Sequence, residues 1–582
     1  MSLDAQAAQL LAGMAQGHDH SHDLDYRSDG GWARPGQTTQ MDDILNASAC
    51  LLALCKHLGT EFQGLTTRIA NATGFLNDHL QRMDLAATIP VGFELLLPAL
   101  LTLLEQEGVL LKFPAYEQLL AMREKKLARI DLDSLYSGSQ SSILHSIEAF
   151  SGLLDFDRLR HQKIGGSIMA SPSATAAYLM NLSTWDDEAE GYLHHVVAAG
   201  DGKGNGGVPS AFPSTNFEYA WVLATLLGNG FSEANLGASD IELARQILSG
   251  GFASGSGLLG LAPLVEPDAD DTAKGLIAMA YLGRNISPER LISTYRVGDH
   301  FQTYAAERVP SITTNCNALM AICLSPQAED HESVIIATTQ FLCQNWRQDM
   351  NQFRDKWHIS PFYPIMLLVQ SLMHVLSLWS QSVLTAIPSR LLRDVLIVLI
   401  QALERLLQSQ RADGSWEGKH EITAYAIISL SQIASLPVSI PLVTHIESCL
   451  DKGRTFLGQG LAKDMEPEHV WVEKVTYGSR NLRQSFILAA LKCAISDEQA
   501  FSRIHDLLPR PLKAIMEPAA FFRQLPMFAN IPKWVITAAL IEGSLYTQTL
   551  REACLKVFPG STTAKERHLA FGGSGFVVPP RR

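Results

Sequence analysis

Hydrophobic residues recur at intervals of three and four positions along most of the chain, which is the spacing of one face of an α-helix. The clearest stretches are residues 43–58, 93–107, 273–282, 391–407 and 421–434. The glycine- and proline-rich segments between helical stretches are 200–213, 249–267 and 452–461. Alternating patterns typical of β-strands are scarce. The pattern therefore predicts an all-α protein with many helices.

One long apolar run covers residues 362–379, but Gln370, Ser371 and His374 interrupt it. This favours a buried helix of a soluble protein over a membrane span. Residues 1–16 are mildly apolar and lack the basic start and long apolar core of a secretory signal. The eight cysteines include no Cys-x-x-Cys pair, which favours reduced thiols over a disulfide framework or a closely spaced zinc pair. We expect a cytoplasmic protein.

Composition and charge narrow the possible functions. Hydrophobic residues make up 47% of the chain and charged residues 18%, a balance typical of a protein with a large core. The net charge of -13 at pH 7 argues against a general nucleic-acid-binding surface. A length of 582 residues corresponds to about two to four domains. Residues 28–32 (Ser-Asp-Gly-Gly-Trp) and 413–416 (Asp-Gly-Ser-Trp) are similar turn segments, which indicate either two related helical units or two chance turns.

Three carboxylates, Asp268, Asp270 and Asp271, lie between a glycine-rich segment and a helix predicted from about Thr272. Carboxylates at this position can simply cap the helix, because its dipole and free N–H groups favour them. Packed together, they cannot all ionise cheaply, so one can hold its proton and donate it to a weak base in a dry pocket. Clustered acids also bind Mg2+. The motif alone leaves a cap, a proton donor and a metal site open.

The sequence around these acids resembles that of one enzyme family. Pro-Asp-Ala-Asp-Asp-Thr-Ala at 267–273 resembles the DxDD signature of class II terpene cyclases. Other segments between about residues 28 and 570 resemble fungal copalyl diphosphate synthases in the same order. They include Pro-Val-Gly-Phe-Glu at 90–94, Lys-Leu-Ala-Arg-Ile at 126–130, Ile-Leu-His-Ser-Ile-Glu at 143–148, Gly-Val-Pro-Ser at 207–210, Thr-Thr-Asn-Cys-Asn at 313–317, Asp-Lys-Trp at 355–357 and Val-Trp-Val-Glu-Lys-Val-Thr-Tyr-Gly at 470–478.

The resemblance implies two α/α-barrel domains, called γ and β, with the class II active site between them. It places γ at about 28–235 and β, which carries the DxDD motif, at about 236–504. Residues 1–27 do not match the family's N-terminal YDTAW helix, so we expect them to be flexible or to form a divergent helix of β. Residues 505–582 resemble the lead-in to a third, α domain, and no DDxxD motif occurs there.

The resemblance also implies roles for the residues around the acids. Asp270 matches the family's general acid, while Asp268 and Asp271 are expected to tune and orient it. Thr313 and Asn317 lie four positions apart, on one face of a predicted helix. By resemblance, both hydrogen-bond the acid. Without the resemblance, Thr313 would be interpreted as a polar cap and Asn317 as a core asparagine with its hydrogen bonds satisfied.

A second set of residues is implied in the last proton transfer. His145 matches a histidine that, in plant ent-type enzymes, works with an asparagine to hold the water that removes the final proton. Ser210 occupies the position of that asparagine. A serine can also hold a water, but with different geometry. The base and the product stereochemistry therefore stay open.

Cations are needed to hold a diphosphate that is not released. Lys126 and Lys356 match family lysines with this role, and Lys474 is a third candidate. Family members also place Mg2+ with an acidic run before the PVGFE segment. Only Asp84 remains of that run in 81–85, so Mg2+ is expected with Asp84 as its candidate ligand. Without the motif context these lysines would be interpreted as surface residues.

The aromatic residues near the motifs are candidates for a wall that faces carbocations, since cation–π contacts contribute about 0.5–2 kcal/mol each. They are Trp357, Tyr304, Phe362 and Trp471. The resemblance implies protonation-initiated cyclisation of geranylgeranyl diphosphate to copalyl diphosphate. The alternatives are the same chemistry on another prenyl diphosphate and a non-catalytic βγ assembly or binding module. A separate class I terpene synthase is the expected downstream partner, and the chain could form a homo-oligomer.

Overall fold

The computed structural model describes residues 2–14, 20–21, 31–32, 39–58, 64–86, 91–138, 141–199, 208–263, 265–305, 307–350, 352–461, 467–495 and 498–557. Its helices are α1 Leu3–Met14, α2 Gln40–Lys56, α3 Leu65–Gln81, α4 Phe93–Gln106, α5 Tyr116–Leu127, α6 Pro172–Asn181, α7 Asp187–Ala199, α8 Thr215–Leu227, α9 Glu233–Leu236, α10 Ala238–Ser254, α11 Ala269–Tyr281, α12 Glu289–Tyr295, α13 Ile312–Cys323, α14 Glu332–Gln348, α15 Phe362–Ser380, α16 Ser389–Ser409, α17 His420–Ile433, α18 Val443–Leu461, α19 Arg480–Lys492, α20 Leu512–Met516, α21 Pro518–Gln524 and α22 Lys533–Val557.

Shorter elements connect these helices. The 3₁₀ segments are Asp133–Tyr136, Ser142–Phe150, Phe156–Gln162, Ala328–His331, Pro437–Leu442, Glu498–Leu507 and Pro526–Phe528. The strands are β1 His20–Ser21, β2 Lys163–Ile164, β3 Ser167–Ile168, β4 Arg296–Val297, β5 His300–Phe301, β6 Trp471–Val472 and β7 Thr476–Ser479. β2 pairs with β3 and β4 with β5, while β7 lies between β1 and β6, all antiparallel. The all-α prediction is confirmed.

Six helices form a closed ring in which each packs against the next: α8, α11, α13, α15, α17, α19 and back to α8. Helices in such a ring are covered on both sides, which explains why every residue of α13 from Thr313 to Cys323 is buried. A second layer packs outside the ring, with α10 on α8, α12 on α11, α14 on α13, α16 on α15 and α17, and α18 on α17. This two-layered ring is the β barrel.

The N-terminal helix α1 belongs to the outer layer of the same barrel. It packs against α19 and α9, with Ala7, Leu10, Leu11 and Met14 buried. Their spacing of three, one and three residues places them on one helical face. Residues 1–27 were expected either to be flexible or to form a divergent helix of β. Helix α1 agrees with the second expectation. Residues 15–19 and 22–27 lie outside the described residues.

The expected boundary between γ and β at residue 235 stays a prediction, but the packing of helix α8 bears on it. Helix α8 (Thr215–Leu227) is part of the ring, where it packs on α11 and α19. Its residues from Asn216 to Leu226 are all buried, because neighbours cover α8 on every side. Since α8 follows the glycine- and proline-rich segment 200–213, that segment is the better boundary.

The γ part is a smaller helical unit. Helices α3, α2, α4 and α5 pack in succession, and the 3₁₀ segment Ser142–Phe150 connects α4 to α6, which packs on α7. Its hydrophobic residues form cores that are separate from the barrel core. Its residue Ser142 donates a backbone hydrogen bond to Glu266, which stands two positions before the DxDD motif.

The C-terminal helices also pack on the barrel. Helix α22 lies against α16, and Ala538, Ile541 and Leu545 join the barrel core. Gln401 on α16 donates a hydrogen bond of 2.5 Å from Nε2 to Oε1 of Glu542. The resemblance of 505–582 to a lead-in segment stays a prediction, and residues 558–582 lie outside the described part of the chain.

One described helix, α15, is long and apolar enough to cross a membrane by length and composition alone. However, 83% of its most apolar window is buried inside the structure. Helix α17 and the following segment Pro437–Gly460 pass the same test only as a pair bent by 118°. The burial of α15 within the ring agrees with the interpretation of 362–379 as a core helix.

Candidate active site

The DxDD motif forms the start of helix α11, and Asp268 is its cap. The Asp268 Oδ1 accepts hydrogen bonds from the backbone N–H groups of Asp270 (2.8 Å) and Asp271 (2.9 Å). The Thr272 hydroxyl bonds both backbone groups of Leu259, at 2.9 Å and 3.0 Å, and thereby ties α11 to the preceding segment. The cap role expected for an isolated carboxylate is thus filled by Asp268, which leaves Asp270 available for chemistry.

Asp271 is the carboxyl group of this cluster that keeps its proton most firmly. It is 6% exposed and shares a side-chain hydrogen bond with Asp268. Burial raises its pKa well above the ordinary value, and the charges of Asp268 and Asp270 add to the shift. Asp271 therefore acts as a hydrogen-bond donor that orients Asp268.

Asp270 is half-buried and held by one side chain. The Asn317 Nδ2 on α13 donates a hydrogen bond of 2.8 Å to Asp270 Oδ1. Burial raises the pKa of Asp270 to about 7, and the charge of Asp268 adds to this while Asn317 opposes it. Because Oδ1 accepts from an amide N–H, the carboxyl proton resides on Oδ2. The structure thus brings together the predicted acid and its predicted partner Asn317.

Lys274 completes this network and was missed by the sequence analysis. Its Nζ donates a 3.2 Å hydrogen bond to Asn317 Oδ1, so the amide nitrogen of Asn317 points to Asp270. The ammonium lies 5.5 Å from the centre of the Trp221 ring. Burial lowers the pKa of Lys274 to about 8. Its position four residues after Asp270 on a helix was the available signal.

Thr313 does not hydrogen-bond the acid as expected. Its hydroxyl lies 3.0 Å from the Ser311 hydroxyl, and its backbone N–H donates to Asp355 Oδ1 at 3.1 Å. Asp355 also accepts from the Ser311 hydroxyl at 2.8 Å. Thr313 is in the first turn of α13, where free N–H groups attract a carboxylate. Its place is therefore in the cap of α13, and Asp355 is a further carboxylate whose charge reaches Asp270.

Glu266 is another acid that the sequence analysis missed. It stands two positions before Asp268, and its Oε2 is buried without a hydrogen-bond partner among the described residues. Burial, and then the charge of Asp268, raises the pKa of Glu266 to about 7. The cluster at the start of α11 therefore contains four acids rather than three.

His145 and Ser210 meet at a residue that was not predicted, Glu473. The Nδ1 of His145 lies 3.0 Å from the backbone oxygen of Met169, and its Nε2 contacts Glu473 Oε1. Ser210 is close enough to the same carboxylate to lower its pKa, although the Ser210 hydroxyl is buried without a hydrogen-bond partner among the described residues. Burial is the largest single effect on Glu473 and would raise its pKa. The charge of His145, its hydrogen bond and the charge of Lys474 together outweigh burial and lower the pKa to about 2. The structure thus brings the predicted residues His145 and Ser210 together with Glu473.

The expected role of Lys474 toward a diphosphate stays a prediction, because the structure pairs its ammonium with groups of the protein. Its ammonium donates to Glu148 Oε1 at 2.7 Å, to the Ser171 hydroxyl at 2.7 Å and to the Ser173 hydroxyl at 2.8 Å. An ammonium has three protons, and all are used here. Lys474, which is 7% exposed, instead joins segment 471–479 to γ.

Lys126 and Lys356 each have an acidic partner and remain partly exposed. Lys126 Nζ lies 2.5 Å from Glu94 Oε1. Lys356 contacts Glu307, donates to the Val309 backbone oxygen at 3.0 Å and lies 5.2 Å from the centre of the Trp357 ring. Their roles toward a diphosphate stay predictions.

The aromatic candidates divide into two groups. Trp357 and Tyr304 are half-buried, which suits a wall that a substrate could reach. Phe362 and Trp471 are 4% and 3% exposed, and Trp471 packs against Phe217, His358 and Tyr363. These two residues are therefore core residues that support the wall.

The predicted metal ligand Asp84 is exposed, and its Oδ1 accepts a 2.9 Å hydrogen bond from the backbone N–H of Ala86. The described residues contain no group of three or more His, Cys, Asp or Glu that could hold a metal ion. One exposed carboxylate does not make a Mg2+ site, which usually adds further carboxylates or substrate phosphates. Mg2+ binding stays a prediction.

Comparison with curated proteins gives long, collinear matches. The chain is 39% identical over 569 residues to pimaradiene synthase pbcA of Emericella nidulans, covering 93% of this chain and 57% of that protein. It is 37% identical over 512 residues to copalyl diphosphate synthase of Talaromyces verruculosus, covering 86% and 52%. The chain therefore spans little more than half the length of these relatives. No family model matches.

Comparison with solved structures supports the fold. The ent-copalyl diphosphate synthase from Streptomyces platensis matches with a TM-score of 0.66 at 23% identity, over 84% of this chain and 99% of that one. Abietadiene synthase from Abies grandis matches with a TM-score of 0.51 at 15% identity, over 98% and 94%. The helical barrel architecture is thus that of solved terpene cyclases.

Proposed function

We propose, from the premise that the chain belongs with the copalyl diphosphate synthases and related fungal diterpene cyclases, that it is a class II diterpene cyclase. Its substrate would be geranylgeranyl diphosphate and its product copalyl diphosphate. The observation that carries the proposal is the Asn317 to Asp270 hydrogen bond of 2.8 Å beside a second carboxyl that caps the helix. This arrangement supports a single carboxylic acid whose proton is on Oδ2, the oxygen that Asn317 does not hold.

The reaction would begin when Asp270 protonates the alkene farthest from the diphosphate. The O–H bond on Oδ2 breaks, and the alkene π electrons form the new C–H bond. The resulting cation is attacked by the internal alkenes in turn, which closes two rings. A pKa of about 7 supports this role, because about half of Asp270 is then protonated at neutral pH and the group still releases its proton to a positioned acceptor.

The last step removes a proton from the bicyclic cation and leaves the C–O bond to the diphosphate intact. Lys126 and Lys356 would hold the diphosphate equally well before and after ring closure, so they would not promote its departure. Mg2+ would neutralise part of the diphosphate charge when bound. A class I terpene synthase that ionises the product is the proposed downstream partner, and the cytoplasm is the proposed location, with all eight cysteines free.

Incubation of the purified chain with geranylgeranyl diphosphate and Mg2+ tests the proposal. Organic extracts are analysed by gas chromatography and mass spectrometry with and without phosphatase treatment. We expect a bicyclic diterpene alcohol only after phosphatase. Recovery of unchanged substrate alone would favour a non-catalytic module, while turnover of farnesyl diphosphate in preference would change the substrate but keep the chemistry. Abundant hydrocarbon without phosphatase would contradict retention of the diphosphate.

A further inference from the structure

His145 has no free ring nitrogen in this structure. Its Nδ1 lies 3.0 Å from the Met169 backbone oxygen, which can only accept, so Nδ1 carries a hydrogen. Its Nε2 contacts the Glu473 carboxylate, which is also an acceptor because its pKa is lowered to about 2. An imidazole that donates from both nitrogens has no lone pair with which to accept another proton. His145 is therefore poorly suited to act as a base.

Glu473 has the features that His145 lacks. It is ionised, and 23% of its side chain is exposed, so part of the carboxylate is accessible. Residues of both structural units fix it in place: Val91 N–H donates to its backbone oxygen at 3.2 Å, and the preceding Val472 N–H donates to the Trp357 backbone oxygen at 2.9 Å. The carboxylate is thus held at the seam between γ and the barrel.

The charges of Glu473 and of the acid cluster both act on two tyrosines, Tyr304 and Tyr477. Burial raises the pKa of Tyr304 well above its ordinary value, and the charges of Asp268, Asp271 and Glu473 all add to the shift. The pKa of Tyr477 is raised by burial, then by Glu473 and Asp271. Both hydroxyls therefore lie within electrostatic range of the cluster and of Glu473.

We propose that the Glu473 carboxylate, rather than His145, accepts the proton that ends the reaction, and that His145 is a positioning residue. This inference rests on the proposed function and names the base of that reaction. A C–H bond of the bicyclic cation breaks, its electron pair forms the C=C bond, and the proton bonds to a Glu473 oxygen. Asp270 has then lost one proton and Glu473 has gained one, and exchange with solvent restores both.

The test compares Glu473→Gln with His145→Gln in the full chain. Glutamine at 473 keeps the size of the side chain but cannot accept a proton, so the cation should be captured by water. We expect continued consumption of geranylgeranyl diphosphate, with hydroxylated or rearranged bicyclic products replacing the parent alkene. Glutamine at 145 is not a base but can still donate an N–H to Glu473. We therefore expect His145→Gln to keep the parent product, whereas His145→Ala shifts it.

The matched control is Glu190→Gln, which makes the same change in the surface pair Glu190 and His194, 3.7 Å apart on α7, and should leave products unchanged. Parent product from Glu473→Gln in wild-type proportion would overturn the inference, as would a product shift in His145→Gln that Glu473→Gln lacks. If Glu473→Gln does not fold, His145→Gln alone decides: the parent product supports the inference, and a shifted product overturns it. Failure of the wild-type chain to make any bicyclic diphosphate would instead refute the proposed function.

Discussion

The carboxyl groups at the start of α11 differ because each meets different neighbours. One carboxylate oxygen of Asp268 accepts hydrogen bonds from two backbone N–H groups, and these bonds stabilise the charged form. Asp271 is buried against that charge, and its pKa is raised well above the ordinary value. Asp270 lies between these extremes, since Asn317 favours its charged form while burial and Asp268 oppose it. One residue type thus yields a cap, an orienting donor and a proton donor.

Asp270→Asn should abolish most of the proposed cyclisation and leave the fold intact. The amide can still accept a hydrogen bond from Asn317 but has no acidic proton, and loss of general acid catalysis costs about 10²–10⁴-fold in rate. Turnover of geranylgeranyl diphosphate and the circular dichroism melting curve are measured together. A folded variant with near-normal turnover would remove Asp270 from the mechanism.

Lys274→Met should move the pH profile of the proposed reaction. Activity requires protonated Asp270, so the wild-type rate falls as pH rises through about 7. The Lys274 cation favours the Asp270 carboxylate, and its removal raises the pKa of Asp270, so the alkaline limb should shift to higher pH. Turnover should also fall about tenfold at pH 6, because Asn317 loses the hydrogen bond that orients its amide.

The measurement is kcat/KM between pH 5.5 and 9, with the exposed Lys513→Met as the control for loss of a lysine. A lower rate with an unchanged alkaline limb would show that Lys274 contributes packing alone.

The sequence could predict the Asp270 and Asn317 pair because both stand in local motifs. The position of Lys274 four residues after Asp270 placed both on one helical face, but it did not reveal that Lys274 contacts Asn317 on another helix.

At the scale of elements, the three- and four-residue spacing of apolar residues predicted the fold class and several of the helices. The spacing of apolar residues predicted helices at 273–282 and 421–434, which correspond to α11 and α17 of the ring. The order in which the ring closes depends on contacts between distant segments. The expected boundary at 235 placed α8 in γ, because α8 has the same composition as any buried helix. Only its neighbours α11 and α19 assign it to the barrel. Periodicity therefore predicts elements but not the unit to which each belongs.

Leu11→Ala tests whether α1 stabilises the barrel. Leu11 is 1% exposed, and truncation of a buried leucine costs about 2–5 kcal/mol. We expect a lower urea midpoint and an unchanged product spectrum, because α1 packs on α19 and α9, away from the start of α11. Gln9→Ala, an exposed position on the same helix, is the control and should change stability by less than about 0.5 kcal/mol. Equal stability of the two variants would mean that α1 is dispensable.

At the scale of the whole molecule, one segment connects the two units. Residues 473–476 bind γ through Lys474, through the contact of Glu473 with His145, and through Thr476, whose backbone N–H and hydroxyl donate to Asp42 at 2.8 Å and 2.5 Å. Glu473 and His145 are 328 positions apart. No local pattern relates residues at such a separation, which is why sequence motifs located His145 but not its partner.

Lys474→Met distinguishes this structural role from the diphosphate role first expected. Loss of the ammonium leaves Glu148 without its ionic partner, and an uncompensated carboxylate of this kind costs about 3 kcal/mol. The variant should unfold at lower urea concentration yet keep the wild-type KM for geranylgeranyl diphosphate, whereas Lys126→Met should raise KM and keep stability. The double variant Lys474→Met, Glu148→Gln should recover part of the loss, since neither charge remains. A stable Lys474→Met protein with a raised KM would instead mean that Lys474 leaves Glu148 to bind the diphosphate.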